Sequence, residues 1–170
     1  MGRYRPPPPV GSKYITAEGY KRLTEEHDYL WKKKRPEVTR ILAAAAAEGD
    51  RSENAEYIYR KKELREIDSR LRFLRKRLDN MVVVDRIPDN SDKVYFGAWV
   101  TIEDSKGIEV TYRIVGPDEI DPKLNYISMD SPMGKALLGK SLDDEISVTA
   151  GSGKDRNTRS YIINEIQYKK

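Results

Sequence analysis

The sequence predicts an α+β protein in two parts, an N-terminal antiparallel helical hairpin followed by a small sheet domain. Two long stretches of helical periodicity flank the acidic turn 49–57, and beyond residue 92 the period becomes that of strands. Between the two parts, residues 82–92 read as a linker, with Pro88-Asp89-Asn90-Ser91-Asp92 as its turn chemistry.

The hairpin is assigned to residues 14–81, behind a Pro-rich tail, residues 1–13, whose Arg3, Arg5 and Pro6 to Pro9 predict an extended, disordered segment. Thr16 is the expected N-cap of helix one and Glu18 favours its first turn. Tyr20, Leu23, Leu30, Val38, Ile41 and Leu42 form an apolar stripe that includes His27. Pro36 is expected to kink this helix without ending it, because periodicity resumes from Val38 to Ala47. Ala43 to Ala47 combine high helix propensity with a slim cross-section.

Helix two is expected from near Ser52 to about Asn80. Leu64, Ile67, Leu71, Leu74, Leu78 and Met81 recur at alternating spacings of three and four, the seam of an antiparallel coiled coil. Continued toward the turn, that seam passes through Arg60 and Tyr57, so the tip has little to bury. At 1.5 Å per residue the hairpin extends roughly 40 Å, more than a compact domain of this size needs. It reads as a finger that projects into solvent or into a partner.

In residues 93–170, strands are expected over Val94 to Ile102, Glu109 to Val115, Tyr126 to Met129, Ile146 to Thr149 and Tyr161 to Ile166, all rich in β-branched and aromatic residues. Ser131-Pro132 reads as an N-cap with proline at the first position of a short helix ending near Leu138. The predicted domain is a curved sheet with one helix against it.

The chain has no cysteine, which excludes disulfides and thiolate metal sites and fits a reducing cytoplasm. No stretch is apolar for long enough to be a signal or membrane span, so no membrane partner is expected. The net charge of +4 conceals an asymmetry: residues 1–80 carry 20 Lys/Arg against 13 Asp/Glu, the remainder 12 against 15. Lys32, Lys33, Lys34 and Arg35 on helix one, with Arg60, Lys61, Lys62, Arg65 and further cations from Arg70 to Arg77 on helix two, form a basic stripe. Such a stripe suits a phosphate backbone. It also suits a solvated coiled-coil face paired with Glu63, Glu66 and Asp68.

The tip allows two readings. Asp50-Arg51-Ser52-Glu53 fits a capping box, with Asp50 as N-cap and Glu53 reaching back. The same carboxylates, with Glu56 one turn further and Asn54 offering an amide oxygen, fit a divalent-metal site that is incomplete by itself and needs ligands from a partner. Catalysis by this chain alone has little support, because no Gly-rich phosphate loop or nucleophile motif is present and the one histidine, His27, lies in the helix stripe.

The run Gly49-Asp50-Arg51-Ser52-Glu53-Asn54-Ala55-Glu56-Tyr57 carries a family resemblance, together with Tyr29-Leu30-Trp31, Arg35-Pro36-Glu37-Val38-Thr39 and Leu64-Arg65-Glu66-Ile67-Asp68. The match continues through Phe96-Gly97-Ala98-Trp99-Val100, Arg113-Ile114-Val115-Gly116 and Tyr126 to Met133. Over about Tyr14 to Tyr168 the chain resembles the bacterial Gre transcript-cleavage factors, more the GreB type than the GreA type. The resemblance implies an FKBP-like fold for the C-terminal domain, docked at the rim of the RNA polymerase secondary channel, with the coiled coil inserted toward the active centre. It implies that Asp50 and Glu53 help hold a second Mg²⁺, shared with the polymerase, for cleavage of the 3′ end of backtracked nascent RNA. Arg51, Ser52, Asn54, Glu56 and Tyr57 match the supporting tip, the basic stripe matches a patch that handles extruded RNA, and Asp130, Ser131 and Pro132 match the docking segment. The protein is then expected to be a monomer that completes an active site rather than an enzyme in its own right.

Two other classes stand beside this one. A channel-binding regulator without cleavage activity is expected to have a different tip from one carrying Asp50 and Glu53. A peptidyl-prolyl isomerase has only the implied fold behind it, and fold does not give function.

Overall fold

The computed structural model describes residues 11–150 and 157–169, so the run Pro6 to Pro9 lies outside the described residues. The chain divides into two compact units, one of Glu18–Met81 and one in which the residues up to Ala17 join those from Val82 onward.

The first unit is a helical hairpin. Helix α1 (Ala17–Tyr29) passes through a π-helical turn, Leu30–Lys34, and continues as α2 (Arg35–Ala47). Pro36 has no N–H and its ring crowds the carbonyl one turn earlier. The wider turn just before it, in which the Arg35 N–H donates to the Leu30 carbonyl, accommodates that defect and lets the helix run on. The kink expected at Pro36 therefore takes the form of a π-turn.

The second arm is α3 (Ala55–Leu78). Val38, Ile67 and Leu71 form a buried cluster flanked by Leu30 and Leu64, and Leu23, Leu74 and Ala45 are buried as well. Pairs cross between the arms at Arg70–Glu26 (2.7 Å), Arg35–Asp68 (2.7 Å) and Lys34–Glu63 (3.2 Å). Each such exposed or half-exposed pair contributes about 0–1 kcal/mol, so the apolar seam dominates the packing.

The second unit is built on a five-stranded sheet of order β5-β4-β3-β7-β6. Its strands are β3 (Trp99–Asp104), β4 (Glu109–Val115), β5 (Tyr126–Ser128), β6 (Glu145–Ala150) and β7 (Asn157–Gln167). Only the β4–β5 pair is parallel. Helix α4 (Pro132–Leu137) places Leu137 in a core with Val94, Val100, Ile102, Ile114, Ile146 and Ile163. Ser131 caps α4, accepting from the Gly134 N–H at 3.0 Å, with Pro132 at the start of the helix. This is the α+β architecture expected. The strand expected from Val94 begins only at Trp99, because Gly97, at φ 86°, turns the chain first.

Three boundaries differ from expectation. Val82–Val84 is a strand, β2, rather than linker, and it pairs in parallel with β1 (Tyr14–Thr16), where the start of the hairpin was expected. Residues 11–13 are held rather than loose: the Ser12 N–H donates to Asp130 Oδ2 at 2.8 Å, and the Lys13 carbonyl accepts from Val82 N–H at 2.9 Å. Thr16 directly precedes α1, where the N-cap was expected, and its N–H and hydroxyl are both donated to Glu119. The buried Glu119 carboxylate also accepts the Gly116 N–H at 3.0 Å, which closes the turn after β4 onto β1. No helix among the described residues is long and apolar enough to cross a membrane.

Candidate composite site at the hairpin tip

The residues between α2 and α3 form a loop whose order comes from short polar side chains. Helix α2 ends at Glu48, whose N–H returns to the Ala45 carbonyl, and Gly49 follows at φ 142°, in the region that favours glycine. Asp50 Oδ1 then accepts from both the backbone N–H (2.8 Å) and the hydroxyl (2.7 Å) of Ser52. These two bonds, the backbone one first, hold the Asp50 carboxyl below its ordinary pKa, so it stays ionised through the neutral range. Glu53 is exposed, and its carboxylate has no hydrogen bond or ion pair among the described residues.

The capping-box reading does not survive. The N-cap of α3 is Asn54, in extended backbone (φ −81°, ψ 100°), whose side-chain oxygen accepts from the Tyr57 N–H at 3.0 Å. Helix two therefore begins at Ala55 instead of near Ser52, and the amide oxygen expected to be offered to a metal is engaged in the cap. Asn54 Nδ2 also donates to the Ala45 carbonyl at 2.8 Å, so one side chain starts α3 and ties it to the end of α2. Glu56 is paired with Arg60 at 2.7 Å. The Arg51 guanidinium and the Lys61 ammonium approach the Tyr57 ring, at 5.8 and 5.5 Å from its centroid.

Among the described residues three carboxylates of the loop have no cation: Glu48, Asp50, oriented by Ser52, and Glu53. Among the described residues no group of three or more His, Asp or Glu side chains is placed to hold a metal ion. Oxygen donors of this kind fit Mg²⁺, which often takes one or two protein carboxylates and fills its octahedral shell from elsewhere.

The basic stripe is largely neutralised within the hairpin. Lys32 pairs with Asp28 (2.5 Å), Lys34 with Glu63 (3.2 Å), Arg35 with Asp68 (2.7 Å), Arg60 with Glu56 and Glu63 (2.7 and 2.8 Å), and Lys62 with Glu66 (3.9 Å). Glu63 is held below its ordinary pKa chiefly by the Arg60 hydrogen bond. Lys33 and Arg65 are exposed with no such partner. In the second unit, Asp130 accepts from Ser12, Ser131 caps α4 and also donates to the Ser128 carbonyl at 2.6 Å, and Pro132 is exposed. Asp130 and Ser131 thus have structural work in the domain whatever else they do.

The chain matches known proteins over nearly its whole length. The family model described as "Transcription elongation factor, N-terminal" matches residues 13–83, and "Transcription elongation factor, GreA/GreB, C-term" matches residues 88–168. The chain is 55% identical over 168 residues to the transcription elongation factor GreB of Pseudomonas aeruginosa, covering 99% of this chain and 98% of that protein. It is 54% identical over 159 residues to GreB of Pasteurella multocida, covering 94% and 98%. Among solved structures, GreA factor homolog 1 of Thermus thermophilus matches at 26% identity and a TM-score of 0.41, covering 91% of this chain and 97% of that one. The chain belongs to the GreA/GreB family of transcription elongation factors, and within it to the GreB type.

Proposed function

We propose that the protein inserts its hairpin into the RNA polymerase secondary channel and lends the tip carboxylates to the polymerase active centre, stimulating cleavage of the 3′ end of backtracked RNA. As an elongation factor of this family it acts with RNA polymerase and is not an enzyme by itself. The observation that supports the finer reading is the state of the tip. At the tip Asp50 is aimed by Ser52 without being neutralised, and Glu53, like Glu48 beside it and Asp79 at the far end of α3, has no side-chain partner among the described residues. Since α3 is capped by Asn54, neither carboxylate is needed to start the helix.

Asp50 and Glu53 would contribute two oxygen ligands to a Mg²⁺ whose remaining ligands come from the polymerase. When bound there, the ion supplies an activated water and stabilises charge on the phosphate. The chain's own part is to present the carboxylates: Ser52 holds Asp50 ionised and oriented, while Asn54 fixes the loop to both helices. The second unit, through the segment Asp130 to Pro132, supplies the docking contact, and the protein works as a monomer in the cytoplasm.

The test is Glu53→Gln and Asp50→Asn in backtracked elongation complexes carrying labelled RNA. Each substitution keeps shape and most hydrogen bonding. Released fragments should fall by orders of magnitude, polymerase binding should stay close to wild type, and raised Mg²⁺ should recover part of the activity. Cleavage near the wild-type rate in both variants at low Mg²⁺ ends the proposal.

A further inference from the structure

We propose that the groove beside β5 is the seat of the chain's own proline run, Pro6 to Pro9, laid as a polyproline II helix over Tyr112 and Tyr126, and that this contact masks the segment around Ser131. The masking rests on the reading of Asp130 to Pro132 as the docking contact. The seat itself does not.

The groove has a volume of about 300 Å³ and lies wholly within the second unit, lined by Tyr112, Tyr126, Ile120, Pro122, Ile127 and Ser131 among others. Its aromatic wall is set in place beforehand. The Tyr126 ring meets Trp99 edge-on, with 5.6 Å between centroids, and its hydroxyl accepts from Arg113 Nη1 at 3.1 Å. Tyr112 and Ile127 pack against the core from behind. Ile120, by contrast, is 56% exposed, so the groove presents apolar surface that calls for a cover.

The occupant follows from where the described chain begins. Gly11 is wedged between Pro117, three residues before Ile120, and Asp130, next to Ser131: a Cβ on it would lie 3.0 Å from Pro117 Cγ and 3.5 Å from Asp130 Oδ2. The Ser12 N–H, donated to Asp130 at 2.8 Å, holds the chain there. Pro9 is therefore two residues from a fixed point that adjoins the groove. At 3.1 Å per residue the proline run extends roughly 12 Å, enough to cross a groove of this size. A proline run has its φ angles fixed in advance and loses little entropy on docking, and aromatic-lined grooves are where such runs bind. Arg5 precedes the run, and Asp121, which exchanges backbone bonds with Tyr126, carries a carboxylate with no ion pair among the described residues.

The experiment compares amide NMR spectra of the full-length chain with those of a full-length variant carrying Pro6→Ser, Pro7→Ser, Pro8→Ser and Pro9→Ser together. The amides of Ile120, Tyr126, Ile127 and Ser131 should differ between the two, and those of β6 should not. A synthetic peptide of residues 1–10 added to the variant should return the groove amides toward their wild-type positions, whereas the same peptide with serine at its four proline positions should not. Ile120→Ser in the variant should weaken peptide binding about tenfold. A segment tethered this closely has an effective concentration on the order of 1 mM, so a contact of about 0.1 mM affinity keeps the groove roughly nine-tenths filled. Emptying it should then tighten polymerase binding about tenfold.

Identical groove amides in wild type and variant overturn the seat. So does recovery with the serine peptide, which would make the contact one of charge through Arg3 and Arg5. Wild-type shifts that grow with protein concentration would mean that a second copy supplies the prolines, and they overturn the intrachain seat. Groove amides that move as expected with no change in polymerase affinity overturn the masking, and Pro132→Glu in the same variant then separates the two readings. Weaker polymerase binding by that protein keeps Asp130 to Pro132 as the docking contact and sinks the masking alone; unchanged binding removes the docking contact itself.

Discussion

Glu119 and Glu53 are the same side chain put to opposite uses. Each follows a glycine by a few residues in a turn, Gly116 and Gly49 respectively. Glu119 is 3% exposed and accepts the Thr16 N–H, the Thr16 hydroxyl and the Gly116 N–H, so its charge is spent inside the protein. Glu53 is exposed and accepts nothing. A buried carboxylate must be matched by donors, because desolvating it otherwise costs several kcal/mol. An exposed one carries no such constraint and is available to a cation that the protein does not itself hold. The contrast separates the carboxylate that builds the molecule from the one proposed to work on a partner.

The strongest way to break the comparison is to remove both in turn. Glu119→Ala leaves the Thr16 and Gly116 N–H groups buried without an acceptor, and should lower the stability of the second unit by about 2–5 kcal/mol in urea denaturation. Glu53→Ala should stay within about 0.5 kcal/mol of wild type. If the two variants unfold alike, burial and hydrogen bonding do not distinguish the two residues and the tip loses its special status.

Gly116→Ala probes the same joint from the backbone side. A Cβ there would lie 2.2 Å from the Tyr14 carbonyl oxygen and 3.2 Å from Glu119 Oε2, so β1 has to shift. The expected cost is about 1–3 kcal/mol, read as a lower thermal midpoint. An unchanged midpoint would mean that β1 is only loosely held against the sheet. At the tip, Asn54→Ala should cost about 1 kcal/mol through loss of the cap. Asn54→Asp keeps the acceptor for Tyr57 and loses only the donor to Ala45, so it should be milder; equal losses would show that the cross-hairpin bond, not the cap, is what matters.

How much of this was legible in the sequence depends on how local each signal is. Ser131-Pro132 announces α4, because the cap and the first-turn proline lie within three residues of what they act on. The seam Leu64 to Leu74 is equally local in its periodicity, and Ile67, Leu71 and Leu74 are buried with Leu64 packed partly buried beside them. The tip misled for a physical reason: Asp50, Ser52 and Asn54 are all good N-cap residues within five positions. The choice among them is settled by the bond from Asn54 to Ala45, on the other arm, which no local pattern encodes. The triple valine at 82–84 reads as a boundary because its partner, Tyr14–Thr16, is a whole hairpin away in the chain. Pro117-Asp118-Glu119 looks like an ordinary polar turn until Thr16 is brought against it. The stripe of cations was visible, but which of them are already neutralised was not, since pairs such as Lys34–Glu63 depend on how the two arms register.

The finest contrast lies within the tip itself, between Asp50, which accepts two bonds from Ser52, and Glu53, which accepts none. Asp50 is held below its ordinary pKa first by the Ser52 N–H and second by the Ser52 hydroxyl. With the folded value depressed, the turn's contribution to stability is complete above the ordinary aspartate pKa and is lost as pH falls through the lowered one. Ser52→Ala removes the smaller cause and leaves the larger, so the Asp50 carboxyl should titrate above its wild-type position while remaining below that of a free aspartate. Carboxyl NMR titration of the isolated protein reads this directly. In elongation complexes, the acid limb of RNA cleavage should move to higher pH in Ser52→Ala, with rates nearly equal to wild type at neutral pH, where the carboxylate is ionised in both. An acid limb that stays put while the NMR titration moves would mean that protonation of Asp50 does not limit cleavage, leaving Glu53 as the carboxylate whose charge the reaction feels.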